Sequence, residues 1–549
     1  MKTKVGLLII LLSVFFIYEE AKAQAPAWAW AKSAGGSNDD WGNSIVSDVN
    51  GNTYVTGSFK SPTITFGTFP LLNVGGEDIF VVKYDASGNV VWANSSGGTG
   101  NDRGYSIAVD INGNTYITGY FISPTITFGI DTLTNTGGSD IFVVKYNSLG
   151  NIVWAKSAVG SGSDIGFGTA ANDIGNFYIT GNFNSSTISF DGDTLINVGS
   201  WNIFIVKYDS SGNVIWAKSA GGVADDYAYH LAVDINGNTY ITGLFHSDTV
   251  HFDNYPLINT GGIANNLFIV KYDSSGNVAW AKGAAGTGAG YSVAVDVNGN
   301  SFLTGYFDSS IIAFDNDSLA NGGDEDIFIV KYDSLGNVAW AKGVGGINND
   351  NGNSLIVDVN GNSYVTGYFE SPTIAFDTFT LAITSSNFYV VKYNTSGNAV
   401  WAKSALGGFG VSEGIAIDTN RSLFITGSFQ SPIITFGNTT LTNANPNGNR
   451  SDIFIVKLDS TGTTGLAEQT PINNITLYPN PATDYLTIKT NSNKKHVITI
   501  TDITGKIIYT TTTLSDKTII NTKDFSQGVY AVSVQTADFI ETKKIIVVR

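Results

Sequence analysis

The chain of 549 residues contains no cysteine. That excludes a disulfide framework and thiol chemistry, so an exported protein of this sequence is held by its core alone. Charge is also scarce, at 14% Asp, Glu, Lys and Arg, and the cations are the scarcer sign: 29 Lys and Arg against 46 Asp and Glu, for a formal net charge of −17. Phosphate binding needs a basic surface, so nucleic acid is not an expected partner. Beyond the N-terminal segment no stretch is long and apolar enough for a membrane helix, so no transmembrane span is expected in the mature protein. No nucleophile elbow, phosphate loop or His-Glu metal motif occurs. What is present in quantity is glycine, 63 residues, and aromatic side chains, 12%. That is the composition of an all-β protein with many tight turns.

The N-terminus reads as a signal peptide over residues 1–23. Lys2 and Lys4 precede an apolar run from Val5 to Tyr18, and Ala21-Lys22-Ala23 supplies the small residues that a signal peptidase reads. The mature chain is expected to begin near Gln24.

A repeat then organises residues 24–460. The phrase Asp-Ile-Asn-Gly-Asn-Thr-Tyr-Ile-Thr-Gly of residues 110–119 recurs, with small changes, from Asp48, Asp234, Asp296 and Asp358. A second phrase ends in tryptophans at 30, 92, 154, 216, 280, 340 and 401, spaced 62, 62, 62, 64, 60 and 61 residues apart. One unit predicts four main strands: A from Ser106 to Asp110, B from Thr115 to Phe121, C from Asp140 to Tyr146 and D from Ile152 to Ser157. A small strand from Thr125 to Phe128 is expected between B and C. Asn112-Gly113 predicts a two-residue hairpin with positive φ at both turn positions. Four antiparallel strands per unit predict a propeller blade. The chain enters on a D strand, Trp28 to Ser33, and leaves the repeats on a C strand, Ile453 to Leu458. The first strand is thus expected to complete the last blade and close a seven-bladed β-propeller. The repeated Trp is expected to fill the gap between neighbouring blades.

These units resemble the seven-bladed β-propeller repeat family of bacterial exported proteins, whose signature is an Asp, a Gly-Asn, an aromatic and Thr-Gly. The resemblance implies a fold and no uniform activity. After a linker at 461–471, residues 472–549 predict a small C-terminal β-sandwich. Its Tyr478-Pro479-Asn480-Pro481 phrase, Gly528 and Tyr530 on one strand, and Lys543 and Lys544 on the last resemble the type IX secretion sorting domain of Bacteroidetes. That resemblance implies delivery by the type IX machinery and a secreted or surface-attached product.

The A–B and C–D connections are tight, whereas the D–A and B–C connections are longer and vary, so binding is expected on the face that carries the latter. Acidic residues recur there at Asp40, Asp102, Asp164, Asp226 and Asp350, followed by variable neighbours that include Trp41, Arg103 and Tyr227. They predict an acidic funnel for an unknown surface ligand, a glycan or a protein; the competing reading has each Asp closing a turn by bonding backbone amides. No cofactor is expected. Asp110, Asn112 and Asn114 alternate like the first ligands of a calcium loop, but no bidentate Glu follows. His230, His246 and His251 replace ordinary repeat residues, and nothing in their spacing gathers them around zinc. The expected function is surface binding or adhesion. The alternative is a secreted propeller lyase or hydrolase acting on polysaccharide or peptide, for which a paired acid and base in one pocket is the requirement.

Overall fold

The computed structural model describes residues 25–172, 175–259, 265–383, 388–445, 447, 450–459, 475–490, 495–502, 506–535 and 540–548. The expected signal peptide and the linker at 461–471 lie outside them. The chain divides into two compact units, Met1–Gly462 and Thr463–Arg549.

The described residues of the first unit form seven four-stranded antiparallel sheets in a propeller-like arrangement. In the second repeat the order is Ile152–Ser157, Asp140–Tyr146, Thr115–Phe121, Asp102–Val109, or D-C-B-A. Between B and C lies a two-stranded hairpin, Thr125–Phe128 with Asp131–Thr134. Its return strand is polar and went unread in the sequence.

The A–B hairpin is built around one carboxylate. Asp110 Oδ1 accepts from the Asn112 and Asn114 amides, both at 2.9 Å, and Oδ2 accepts from Asn114 Nδ2 at 2.8 Å and from the Tyr116 hydroxyl at 3.2 Å. The backbone closes with Gly113 N donating to Asp110 O and Asp110 N to Asn114 O, each at 2.9 Å. Only Gly113 has positive φ, 77°. The expectation of two left-handed positions is therefore corrected. The Asp side chain draws the turn amides inward, and a single left-handed glycine then returns the chain. These contacts also occupy the oxygens that a calcium loop would turn outward.

Each D-strand Trp lies against the following sheet. Trp92 stacks on Tyr146 with ring centroids 6.2 Å apart, and a Cβ on Gly150 would come within 2.7 Å of Trp92 Cδ2. Gly150 thus satisfies both its φ of 84° and the close approach of the indole.

The N-terminal strand pairs with the last C strand. Trp28 lies opposite Leu458, Trp30 opposite Lys457 and Ala34 opposite Ile453. The first and last sheets share one apolar cluster, in which Ile45, Val55 and Phe80 meet Phe424, Ile453 and Ile455. Ser47 Oγ donates to Ile417 O at 2.7 Å across the same boundary. In the last sheet the N-terminal strand is the outer edge, paired with the last C strand.

In the second unit, Ile475–Tyr478, Tyr485–Thr490 and Lys517–Asn521 form one sheet. Ile507–Thr513, His496–Asp502, Gly528–Gln535 and Ile540–Val547 form another. Leu486, Ile488, Ile498, Val532 and Val547 fill a common core. Within the sorting phrase, Asn480 Oδ1 accepts from Ile546 N at 2.9 Å, tying it to the terminal strand. The Tyr530 hydroxyl donates to Ser526 O at 2.7 Å.

Deleting residues 24–34 removes an edge strand and its buried side chains, Ala31 and Ala34 among them. The melting temperature of the first unit is expected to fall by roughly 5–10 °C. A melt unchanged in differential scanning calorimetry contradicts the strand exchange.

Candidate functional site

Asp102 and Phe121 are register partners, so the start of A and the end of B share one end of the sheet with the D–A and B–C loops. All five predicted acids sit at that start: Asp40, Asp102, Asp164, Asp226 and Asp350 are each 0% exposed. Asp102 Oδ1 accepts from the amides of Ile122 at 3.0 Å and Ser123 at 3.1 Å, while Oδ2 accepts from Ser123 Oγ at 2.6 Å and Gly98 N at 2.8 Å. The same serine bond recurs from Ser61 to Asp40 at 2.7 Å, Ser185 to Asp164 at 2.7 Å, Ser247 to Asp226 at 2.8 Å and Ser371 to Asp350 at 2.8 Å. These carboxylates tie the D–A loop to the B–C loop. The expectation that they converge on the mouth as an acidic funnel is corrected: their oxygens face backbone amides, the second of the two roles considered for them.

A second buried acid, at the head of strand C, flanks this ladder. Asp78, Asp140, Asp326 and Asp452 are at most 3% exposed, and each has an Oδ1 with no hydrogen-bond partner among the described residues. Each packs close to its cross-sheet ladder acid or a glycine; a Cβ on Gly97 would come within 2.0 Å of Asp78 Oδ1. Burial pushes Asp40, Asp164 and Asp78 up to about 6 and Asp452 up to about 7. Burial also raises Asp226 and Asp350.

The variable neighbours Trp41, Arg103 and Tyr227 lie at the same end of their sheets, one residue after the head of strand A. Trp41 lies under two cations, with Lys60 Nζ 4.9 Å and the Arg103 guanidinium 5.4 Å from its ring centre. Arg103 pairs at 2.8 Å with Glu77, which is fully buried, and Lys60 approaches the same carboxylate at 3.8 Å. Tyr227 stacks on Tyr229, 6.2 Å between centroids, beside Trp201 at 6.1 Å.

A further set of residues went unrecognised in the sequence. They stand three places after the head of each A strand: Asn43, Tyr105, Phe167, Tyr229, Tyr291, Asn353 and Glu413. All seven A strands line one cavity of about 460 Å3. Tyr105, Phe167, Tyr229 and Tyr291 follow one another along its wall at 4.9, 5.7 and 5.7 Å, and Asn353, Glu413 and Asn43 line it as well. An adjoining cavity of about 600 Å3 opens at the mouth between Tyr229, Tyr291, Glu325, Asn351, Tyr368 and Glu413. Glu413 is reached by solvent yet enclosed by the channel wall, and that burial pushes its acid up to about 7. The signal was present in the sequence, because this position varies in chemistry while its neighbours repeat. The shift in register after each Gly42-type residue, which decides which side chains face inward, was not.

The histidines stand apart in their bonding. His230 Nδ1 lies 3.2 Å from Val293 O, and burial lowers its pKa to about 4. His246 Nδ1 lies 3.0 Å from Asp225 O. Among the described residues no group of three or more His, Cys, Asp or Glu is placed to hold a metal.

Comparison with known proteins places the tail first. Residues 476–548 match the secretion system C-terminal sorting domain, and residues 215–244 match a beta-propeller repeat. Over 506 residues the chain is 25% identical to the uncharacterized WD repeat-containing protein L264 of Acanthamoeba polyphaga mimivirus, covering 74% of this chain and 36% of that one. Over 176 residues it is 25% identical to the regulatory protein FlaEY of Caulobacter vibrioides, covering 31% and 18%. The chain thus spans about a third or less of the curated relatives it matches. Among solved structures it is similar to PorZ, a surface component of the type IX secretion system of Porphyromonas gingivalis, with 16% identity, a TM-score of 0.35 and coverage of 91% of this chain and 58% of that one. The sorting tail directs the chain through type IX secretion to the cell surface, and the repeats make it a secreted propeller-like protein. No helix among the described residues is long and apolar enough to cross a membrane.

The buried acids set a pH dependence. A carboxyl whose folded pKa lies above its ordinary 3.8 contributes stability that is complete below that value and lost as pH rises through about 6 to 7, as for Asp40, Asp164, Asp78 and Asp452. The turn acids Asp209 and Asp333 are shifted down, chiefly by side-chain bonds from Asn213 and Asn337, so their contribution disappears only as pH falls below 3.8. The urea midpoint is therefore expected to be higher near pH ~5 than near pH ~8. A midpoint that is flat or falls on that acidification contradicts the assignment.

Proposed function

We propose that this is a surface binding protein: a leader at residues 1–23, a closed seven-bladed propeller over 24–460, a linker at 461–471 and a sorting sandwich over 472–549. Ligand is taken at the mouth on the D–A and B–C loop face. The observation that carries the reading is the division of labour within each A strand. Its first residue, Asp102 or an equivalent, is buried and bonded to backbone, while the positions one and three places on change chemistry from sheet to sheet. A rigid frame carrying a variable rim supports recognition. Of the site residues read from the sequence, Trp41, Arg103 and Tyr227 belong to the rim, and the five acids support it from behind.

Two experiments test this. Truncation after residue 462 in the native host is expected to leave the propeller in the periplasm, as judged by fractionation and blotting; normal surface display of the truncated protein contradicts the sorting role. For the rim, Trp41→Ala with Tyr227→Ala is expected to abolish hits on a glycan and peptide array while the melting temperature moves by less than about 3 °C. The pair Asn112→Ala with Asn151→Ala, on the opposite face, is expected to keep the hits. The reverse pattern assigns binding to the turn face.

A further inference from the structure

The repeat provides its own comparison at the mouth. Glu77 and Glu325 hold equivalent places, each immediately before the buried Asp that heads strand C, Asp78 or Asp326. Glu77 is neutralised from within the chain: Arg103, the residue after the ladder Asp of the next sheet, reaches it at 2.8 Å and lies over the Trp41 ring. In the other pair of sheets the corresponding residue is Asn351. Its Nδ2 donates to Glu325 Oε2 at 2.8 Å and to the Tyr368 hydroxyl at 3.1 Å, which supplies hydrogen bonds and no charge.

Around Glu325 the chemistry is uniformly suited to a cation. The cavity it shares with Glu413 is walled by Tyr229, Tyr291 and Tyr368 and contains no Lys, Arg or His among its lining residues. Among the described residues neither glutamate makes an ion pair, and Glu413 makes no hydrogen bond. Carboxylates beside tyrosine faces select a cation through charge and through the ring quadrupole together. A planar guanidinium matches best, because the chain itself uses one for the same task at Glu77, between a carboxylate and an aromatic ring.

We propose that the mouth cavity between Glu325 and Glu413 binds a guanidinium group, as presented by an arginine side chain of an extended peptide. The proposal rests on the reading of this mouth as the binding face and adds the ligand's chemical class. Glu325 and Asn351 receive the guanidinium edge, Glu413 faces it from across the cavity, and Tyr291 or Tyr368 covers its plane. The titratable groups facing Glu413 are Glu325, Tyr229, Tyr291 and Tyr368 at the mouth, with Tyr105 and His230 in the channel below. The tyrosines stay neutral near pH 7, as burial raises Tyr368 to about 12 and Tyr229 and Tyr291 further. Glu413, pushed up to about 7, is the group that changes charge there. Acidification through that range discharges it and weakens cation binding; His230, lowered to about 4, stays neutral throughout.

The test uses the mature secreted protein and two probes of the same shape, Nα-acetyl-arginine methylamide and its uncharged citrulline analogue, by titration calorimetry. The arginine probe is expected to bind at least roughly tenfold more tightly, the scale of one charge-assisted contact. Glu413→Gln is expected to weaken it by about the same factor and to remove the rise in affinity between pH ~6 and ~8. Asn351→Arg, which places at Glu325 the residue that serves Glu77, is expected to abolish binding with the melting temperature retained. Equal binding of both probes, or arginine binding unchanged in Asn351→Arg, overturns the proposal. If neither probe binds while array hits are lost in the Trp41 and Tyr227 double variant, the guanidinium class is wrong and the binding face stands. If those hits also survive the double variant, the face itself is wrong.

Discussion

The hydrogen bonds from Ser123 and the Ile122 amide to buried Asp102, with their equivalents in four other sheets, hold the face of the D–A and B–C loops in place. Burying a carboxylate is unfavourable unless its oxygens are bonded, and here the bonds come from two different loops. One carboxylate therefore fixes where the D–A loop ends, where the B–C loop begins and how strand A enters the channel. Where the ladder has glycine, at 288 and 410, the serine persists: Ser309 Oγ accepts from Thr287 N at 3.0 Å and Ser431 Oγ from Phe409 N at 2.5 Å. The tie is weaker in these sheets but keeps the same path.

The opposite end follows the same logic, with the carboxylate at the first residue of each turn. Asp85 Oδ1 accepts from the Ser87 and Asn89 amides, each at 2.9 Å, and Asp110 does likewise at the A–B turn. Both ends thus use acidic side chains to satisfy backbone amides, which accounts for much of the excess of Asp without invoking ligands. In the seventh repeat Arg421 takes the glycine position with φ 65° and still donates its amide to Asp418 O at 2.8 Å, so the side-chain cradle tolerates loss of the glycine.

Architecture was highly legible in the sequence because it is written seven times. The strand order, the pairing of Trp28 with the last C strand and the inter-sheet role of Trp92 all follow from repeated phrases. The site was less legible for the converse reason. Repetition drew attention to Asp40, Asp102, Asp164, Asp226 and Asp350, and repeated residues carry the frame. Residues that do not follow the repeat, such as Asn351 and Glu413, line the mouth cavity with Glu325, and their convergence depends on a bulge after Gly352 and on which sheets are neighbours. The polar return strand Asp131–Thr134 escaped for a similar reason: its pairing is set by the hairpin at Gly129, φ 60°, rather than by an apolar pattern.

A frame that spends its own arginine at Glu77 and withholds one at Glu325 has an asymmetric mouth despite its near-symmetric sheets. On the proposed reading this asymmetry, and not the repeated acids or turns, selects the ligand. The most direct measurement is a structure of the mature protein with an arginine-containing peptide. A guanidinium between Glu325 and Glu413, against a tyrosine face, is the expected result. Peptide density on the Asp110-type turns, or at the mouth but away from both glutamates, would contradict it.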